Sequence, residues 1–165
     1  MLVPLEKLKA AGAQVHIATL DGKTIKGWDA GNWGKSVDAD LKISDIDVAA
    51  YDALVLPGGQ INPDILRTDE AAVSKVREFV THNKIVAAVC HAPWLLIEAG
   101  VVKDREMTSY HSIRTDLKNA GANVVDKEVA TSNGIITSRS PEDLDAFVAK
   151  IIEEVEEGEH KRTDA

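Results

Sequence analysis

The chain has one cysteine in 165 residues, so no disulfide can close within it, and no segment joins a basic start to an apolar run of signal-peptide length. The cytoplasm is the expected location. No apolar run reaches the roughly 18 residues that a membrane helix needs, so no membrane partner is expected. Basic residues are in deficit, 19 Lys and Arg against 27 Asp and Glu. The resulting formal charge of −8 argues against nucleic acid as the main partner. Repeats and low-complexity blocks are missing too. Aromatics are scarce at 4%, yet 44% of residues are hydrophobic, enough for the full core of one domain. That domain is read as residues 1–157, with a polar tail over 158–165.

What is present is organised around residues 85–100. Ile85, Val86, Ala87, Ala88 and Val89 are too few for a helix and the right length for a strand buried on both faces. The period then changes. From Pro93, the residues Trp94, Leu95, Ile97 and Ala99 fit a short helix, with proline tolerated in its first turn and Gly100 in the left-handed stop position. Cys90 and His91 fall in the turn between strand and helix, the arrangement of a nucleophile elbow. A cysteine after an apolar strand is more often a small buried hydrophobe, but this one is placed where side chains face a cleft. The unpaired N–H groups of the helix start are expected to draw its pKa below the free value of about 8.5.

Around this stretch, strands and helices alternate. Leu2, Leu5 and Leu8 share a helical face that Gly12 closes, and residues 14–20 read as a strand. The Gly- and Asp-rich region to Lys42 suits a small hairpin carrying Trp28 and Trp33, a pair expected at a subunit contact. A buried strand over residues 51–56 ends in Pro57-Gly58-Gly59, whose backbone N–H groups would suit an oxyanion hole. Asp64 follows in an expected loop, and residues 71–82 read as a helix. Residues 113–120 read as another helix, Ser132-Asn133-Gly134 marks a hairpin, and Ser140-Pro141-Glu142-Asp143 reads as a helix start capped by its serine. The expectation is an α/β fold: a doubly wound, flavodoxin-like parallel sheet with helices on both faces and a small β-hairpin.

The order of motifs resembles a known family. Pro57-Gly58-Gly59, Val89-Cys90-His91-Ala92-Pro93, Thr108-Ser109-Tyr110, the run from Asp116 to Gly121 and Thr137-Ser138-Arg139 before Pro141-Glu142-Asp143-Leu144 are similar to the PfpI-type intracellular proteases. That family belongs to the class I glutamine-amidotransferase-like superfamily, with the protein deglycases and the glutathione-independent glyoxalases. The resemblance implies Cys90 as nucleophile, His91 as adjacent base or proton shuttle, and the Gly58 and Gly59 backbone at the oxyanion. It further implies Asp64 as an acid supplied by a neighbouring subunit, in a homo-oligomer, and Tyr110 lining the pocket. No metal and no organic cofactor is implied.

Two departures accompany the resemblance. Ala92 stands where the family motif has glycine, and its methyl group is expected to narrow the pocket or alter the turn. Family members also open with a central strand ending in a Glu that hydrogen-bonds the nucleophile, and Met1-Leu-Val-Pro4 aligns just after that Glu. The strand is therefore expected to be missing, and Glu6 is read as a surface charge. Three functions fit: a hydrolase acting on short aldehydes or dicarbonyl-derived adducts, an oligomeric peptidase, or a non-catalytic redox or stress protein in which Cys90 oxidises.

Overall fold

The computed structural model describes residues 1–29 and 31–158. The expected tail beyond Gly158 and the hairpin apex at Ala30 lie outside the described residues. The chain opens with α1 (Leu2–Ala10) and β1 (Ala18–Thr19), then the hairpin of β2 (Ile25–Asp29) and β3 (Asn32–Val37), then β4 (Leu41–Lys42). The middle comprises β5 (Ala53–Leu56), α2 (Ile61–Leu66), α3 (Glu70–Thr81), β6 (Ile85–Val89) and α4 (Pro93–Glu98). Next come β7 (Glu106–Met107), α5 (Arg114–Asn119), β8 (Asn123–Val124), β9 (Val129–Ser132), β10 (Ile135–Ser138) and α6 (Leu144–Glu157).

The apolar run of β6 explains the layering. All five of its residues are buried, and alternation sends them to opposite faces. Val86 and Ala88 join one core with Phe79 of α3 and Leu95 and Leu96 of α4. Ile85, Ala87 and Val89 join the other with Leu8 of α1 and Phe147, Val148 and Ile151 of α6. Each large side chain fully buried in this way contributes about 1.5–3 kcal/mol. Helices therefore cover both faces of a sheet in the order β5-β6-β10-β9, with the first three strands parallel and β9 antiparallel. This is the doubly wound, flavodoxin-like arrangement expected. The β9–β10 turn places Asn133 at φ 48° and Gly134 at φ 81°, the two left-handed positions of a tight hairpin. At α3, the Asp69 side chain accepts from the Ala72 N–H at 2.8 Å, an N-cap that fixes where the helix begins. No helix among the described residues is long and apolar enough to cross a membrane.

One edge of the main sheet is open. The Ile85 N–H donates to the Asp52 carbonyl, so the backbone groups of Asp52, Leu54 and Leu56 face β6, and those of Ala53 and Val55 face away. Among the described residues no strand pairs with that side of β5. β1 and β4 pair in parallel only with each other, and a cavity of about 1140 Å³ lies between them and β5. Leu8, Val15, Ile17, Leu41 and Val55 are among the apolar residues lining it. This gap also corrects the strand expected over residues 14–20. Only Ala18 and Thr19 find a partner, because the preceding residues line the cavity instead of a neighbouring strand.

Two smaller expectations are corrected. Asp64 lies in the short helix α2, not in a loop, with Pro63 accommodated in its first turn. Ser140 makes no hydrogen bond to the helix backbone; its hydroxyl donates to the Glu142 carboxylate, and a 3-10 turn over Pro141–Asp143 leads into α6. The buried Asp143 is held in two hydrogen bonds by Arg139 instead. Trp28 and Trp33 do pair across the expected hairpin, edge to face at 5.3 Å. They remain 64% and 62% exposed.

Candidate active site

The strands β5 and β6 run parallel, so their carboxyl ends bring Pro57-Gly58-Gly59 beside Cys90. Cys90 has φ 66°, a left-handed conformation that costs a residue with a Cβ about 1–2 kcal/mol. Neighbouring hydrogen bonds hold it there. The Cys90 N–H donates to the Ser138 carbonyl at 3.0 Å, and the Cys90 carbonyl accepts from the Tyr110 N–H at 2.9 Å. The strained turn is thus clamped by β10 on one side and by the segment after β7 on the other. It is the elbow expected from the change of period.

Gly58 permits the close approach of the second turn. A Cβ at Gly58 would lie 2.7 Å from Cys90 Cβ and 2.8 Å from the Val89 carbonyl oxygen, too near for either to be accommodated in place. Gly59 has open space around it but holds φ 81°. Gly58→Ala is expected to destabilise the fold by about 1–3 kcal/mol through overpacking, and to displace the elbow. Thermal melting together with the alkylation rate of Cys90 checks this; an unchanged rate would show that the two turns move independently.

The Cys90 sulfur lies 3.2 Å from His91 Nδ1 and meets the backbone N–H groups of Gly59 and His91. Burial pushes the thiol upward from its ordinary pKa, and the charge of Glu142 adds to the rise, while those two N–H groups oppose it. The net direction is up, which corrects the lowered pKa expected from the helix start. α4 has only six residues, and its partial charge is outweighed by the desolvation of a half-buried sulfur. His91 shifts the other way: burial, then the neighbouring His111, lower its pKa. At neutral pH a protonated thiol therefore faces a neutral imidazole.

The imidazole is held on several sides. It stacks on Tyr110 with ring centroids 4.8 Å apart, meets the edge of Trp94 at 5.3 Å, and is 9% exposed. Its Nε2 lies 3.1 Å from Ser112 Oγ. Tyr110 thus bounds the site through His91. Ala92 does not line the pocket: it is 0% exposed within the core, and its ordinary helical φ of −58° and ψ of −26° accommodate the methyl group without strain. The expected change of turn or pocket is corrected accordingly. Asp64 is exposed on α2, and among the described residues its carboxylate makes no hydrogen bond within this chain. Sequence reasoning missed Ser112, Trp94 and Glu142 as neighbours of the cysteine and histidine. Trp94 was legible only as a helix residue, and nothing in the spacing of Ser112 or Glu142 marks it.

A cysteine on a strained turn at the carboxyl edge of a parallel sheet, with a histidine on its sulfur and a glycine turn opposite, defines an α/β protein with its cysteine held on an elbow. The chain belongs to the DJ-1/PfpI family, whose model matches residues 1–154. It is 40% identical over 152 residues to Deglycase PfpI of Pyrococcus furiosus, covering 92% of this chain and 89% of that protein. It is 43% identical over 145 residues to YraA of Bacillus subtilis, whose name provisionally calls it a cysteine protease, covering 87% of this chain and 83% of that protein. Among solved structures it is similar to a two-domain protein from Anabaena variabilis with DJ-1/ThiJ/PfpI-like and ferritin-like domains. The TM-score is 0.86 and the identity 31%, with 96% of this chain and 46% of that longer one covered.

Proposed function

We propose that this chain is a cysteine-dependent hydrolase acting on short dicarbonyls, aldehydes and the adducts that they form with amines and thiols. The observation that carries the reading is the contact of the Cys90 sulfur with a neutral His91 at 3.2 Å, on a turn that holds the sulfur above the sheet edge. His91 Nδ1 accepts the thiol proton as the sulfur adds to an electrophilic carbonyl carbon. The N–H groups at Gly59 and His91 stabilise the sulfur anion before attack and flank the oxygen that gains charge during it. A small aldehyde suits the site because it needs no extended subsites. The deglycase name of the Pyrococcus relative supports this substrate class.

The reading includes self-association through the exposed pair Trp28 and Trp33. Incubation with methylglyoxal is expected to yield lactate without added metal or thiol. In the same preparation, sedimentation is expected to give a mass above 17.8 kDa. Cleavage of peptide reporters with no loss of methylglyoxal would replace the proposal by the peptidase reading. Oxidation of Cys90 with no turnover of either would replace it by a redox role.

A further inference from the structure

We infer that Ser112 is the positioning residue of His91, completing a Cys90–His91–Ser112 relay within a single chain. The inference rests on the reading of Cys90 as nucleophile and His91 as base, and it supplies the partner which that base requires. Ser112 occupies the 3-10 turn over His111–Ile113, directly after Tyr110. The turn is anchored to the elbow because the Tyr110 N–H donates to the Cys90 carbonyl. Both imidazole nitrogens are then committed, Nδ1 to the Cys90 sulfur and Nε2 to the Ser112 hydroxyl at 3.1 Å. Among the described residues, the Ser112 hydroxyl has no other hydrogen-bond partner.

The chemistry follows from the two nitrogens. To accept the thiol proton, Nδ1 must present its lone pair, so the one proton of the neutral ring must reside on Nε2. A nearly buried N–H needs an acceptor, and Ser112 Oγ is the one at hand. When the ring takes a second proton from sulfur, Nε2–H keeps that acceptor and Nδ1–H faces the new thiolate. The thiol proton moves to Nδ1, the sulfur retains the electron pair, and the hydroxyl neither gains nor loses a proton. Stacking on Tyr110 and the edge of Trp94 prevent the ring from turning away. The titratable groups facing this relay are His111, beside the ring, Tyr110, stacked on it, and Glu142, whose charge reaches the sulfur.

The test reads Cys90 directly, by the rate of alkylation with iodoacetamide across pH in the full chain, so it requires no turnover of a carbonyl substrate. Ser112→Ala is expected to slow alkylation about three- to tenfold at pH 7, the effect of one lost hydrogen bond, and to move the midpoint of the profile to higher pH. The plateau at high pH should remain, because a thiolate already formed needs no base. Ser112→Thr should restore the parent profile. Ser112 is exposed, so both of its variants are expected to fold, with thermal melting as the control. In the unmodified chain, nitrogen-15 shifts should place the His91 proton on Nε2. A Ser112→Ala profile superimposed on the parent, a Ser112→Thr profile no better than that of Ser112→Ala, or a proton on Nδ1 would each overturn the inference. Absence of methylglyoxal turnover with the Ser112 effect intact would instead refute only the hydrolase reading.

Discussion

Cys90→Ser is expected to lower methylglyoxal turnover by at least about a thousandfold while leaving the fold in place. The substitution exchanges sulfur for oxygen and retains the Cβ at φ 66°, so the strain and both backbone clamps persist. What changes is acidity. Burial lowers the pKa of His91, which keeps the ring neutral but weakens it as a base, so it cannot make up for a serine hydroxyl being a far weaker acid than a thiol. No other cysteine exists in the chain to replace the sulfur. The measurement is lactate formation by the parent and variant at equal concentration, with circular dichroism to confirm folding. A variant that retained most of the turnover would mean that the elbow is not where the chemistry happens.

The second large effect concerns the open side of β5. Ala53 and Val55 turn their backbone groups toward a cavity of about 1140 Å³ whose far wall includes β1 and β4. An extended apolar segment laid along that edge would complete backbone hydrogen bonds worth about 1 kcal/mol each and remove apolar wall from water. Fusing such a strand, ending in an acidic residue, ahead of Met1 is expected to raise the melting temperature by about 5–15 °C. It should raise turnover as well, because β5 carries the Gly58 turn that contacts Cys90. Matched fusions with an alternating-charge strand of equal length provide the control. If both fusions melted with the parent, the cavity would be closed or filled in solution and its edge would not limit stability.

The legible parts of the molecule are those governed by local rules. The change of period at Cys90, with Pro93 starting α4 and Gly100 at φ 73° ending it, locates the elbow from sequence alone. Asp69 and the hairpin at Asn133 and Gly134 signal their own structures in the same way. Parallel topology then places the Gly58 turn beside the cysteine. Other features depend on what lies across space. Residues 14–20 have a strand's composition, yet strand formation requires a partner, and only two of them have one. The direction of the Cys90 shift pits burial against backbone donors, and a sequence does not state burial. Ser112 meets His91 across 21 positions through a 3-10 turn whose residues carry no periodic signal.

The left-handed backbone at Cys90 also bears on how this position responds to selection. Glycine alone holds φ 66° without cost, so screening for heat resistance would favour its appearance at residue 90. The same replacement deletes the sulfur. Improvement by stability and retention of chemistry thus diverge at a single codon, and a library enriched by temperature alone would discard the proposed reactive group among its earliest gains.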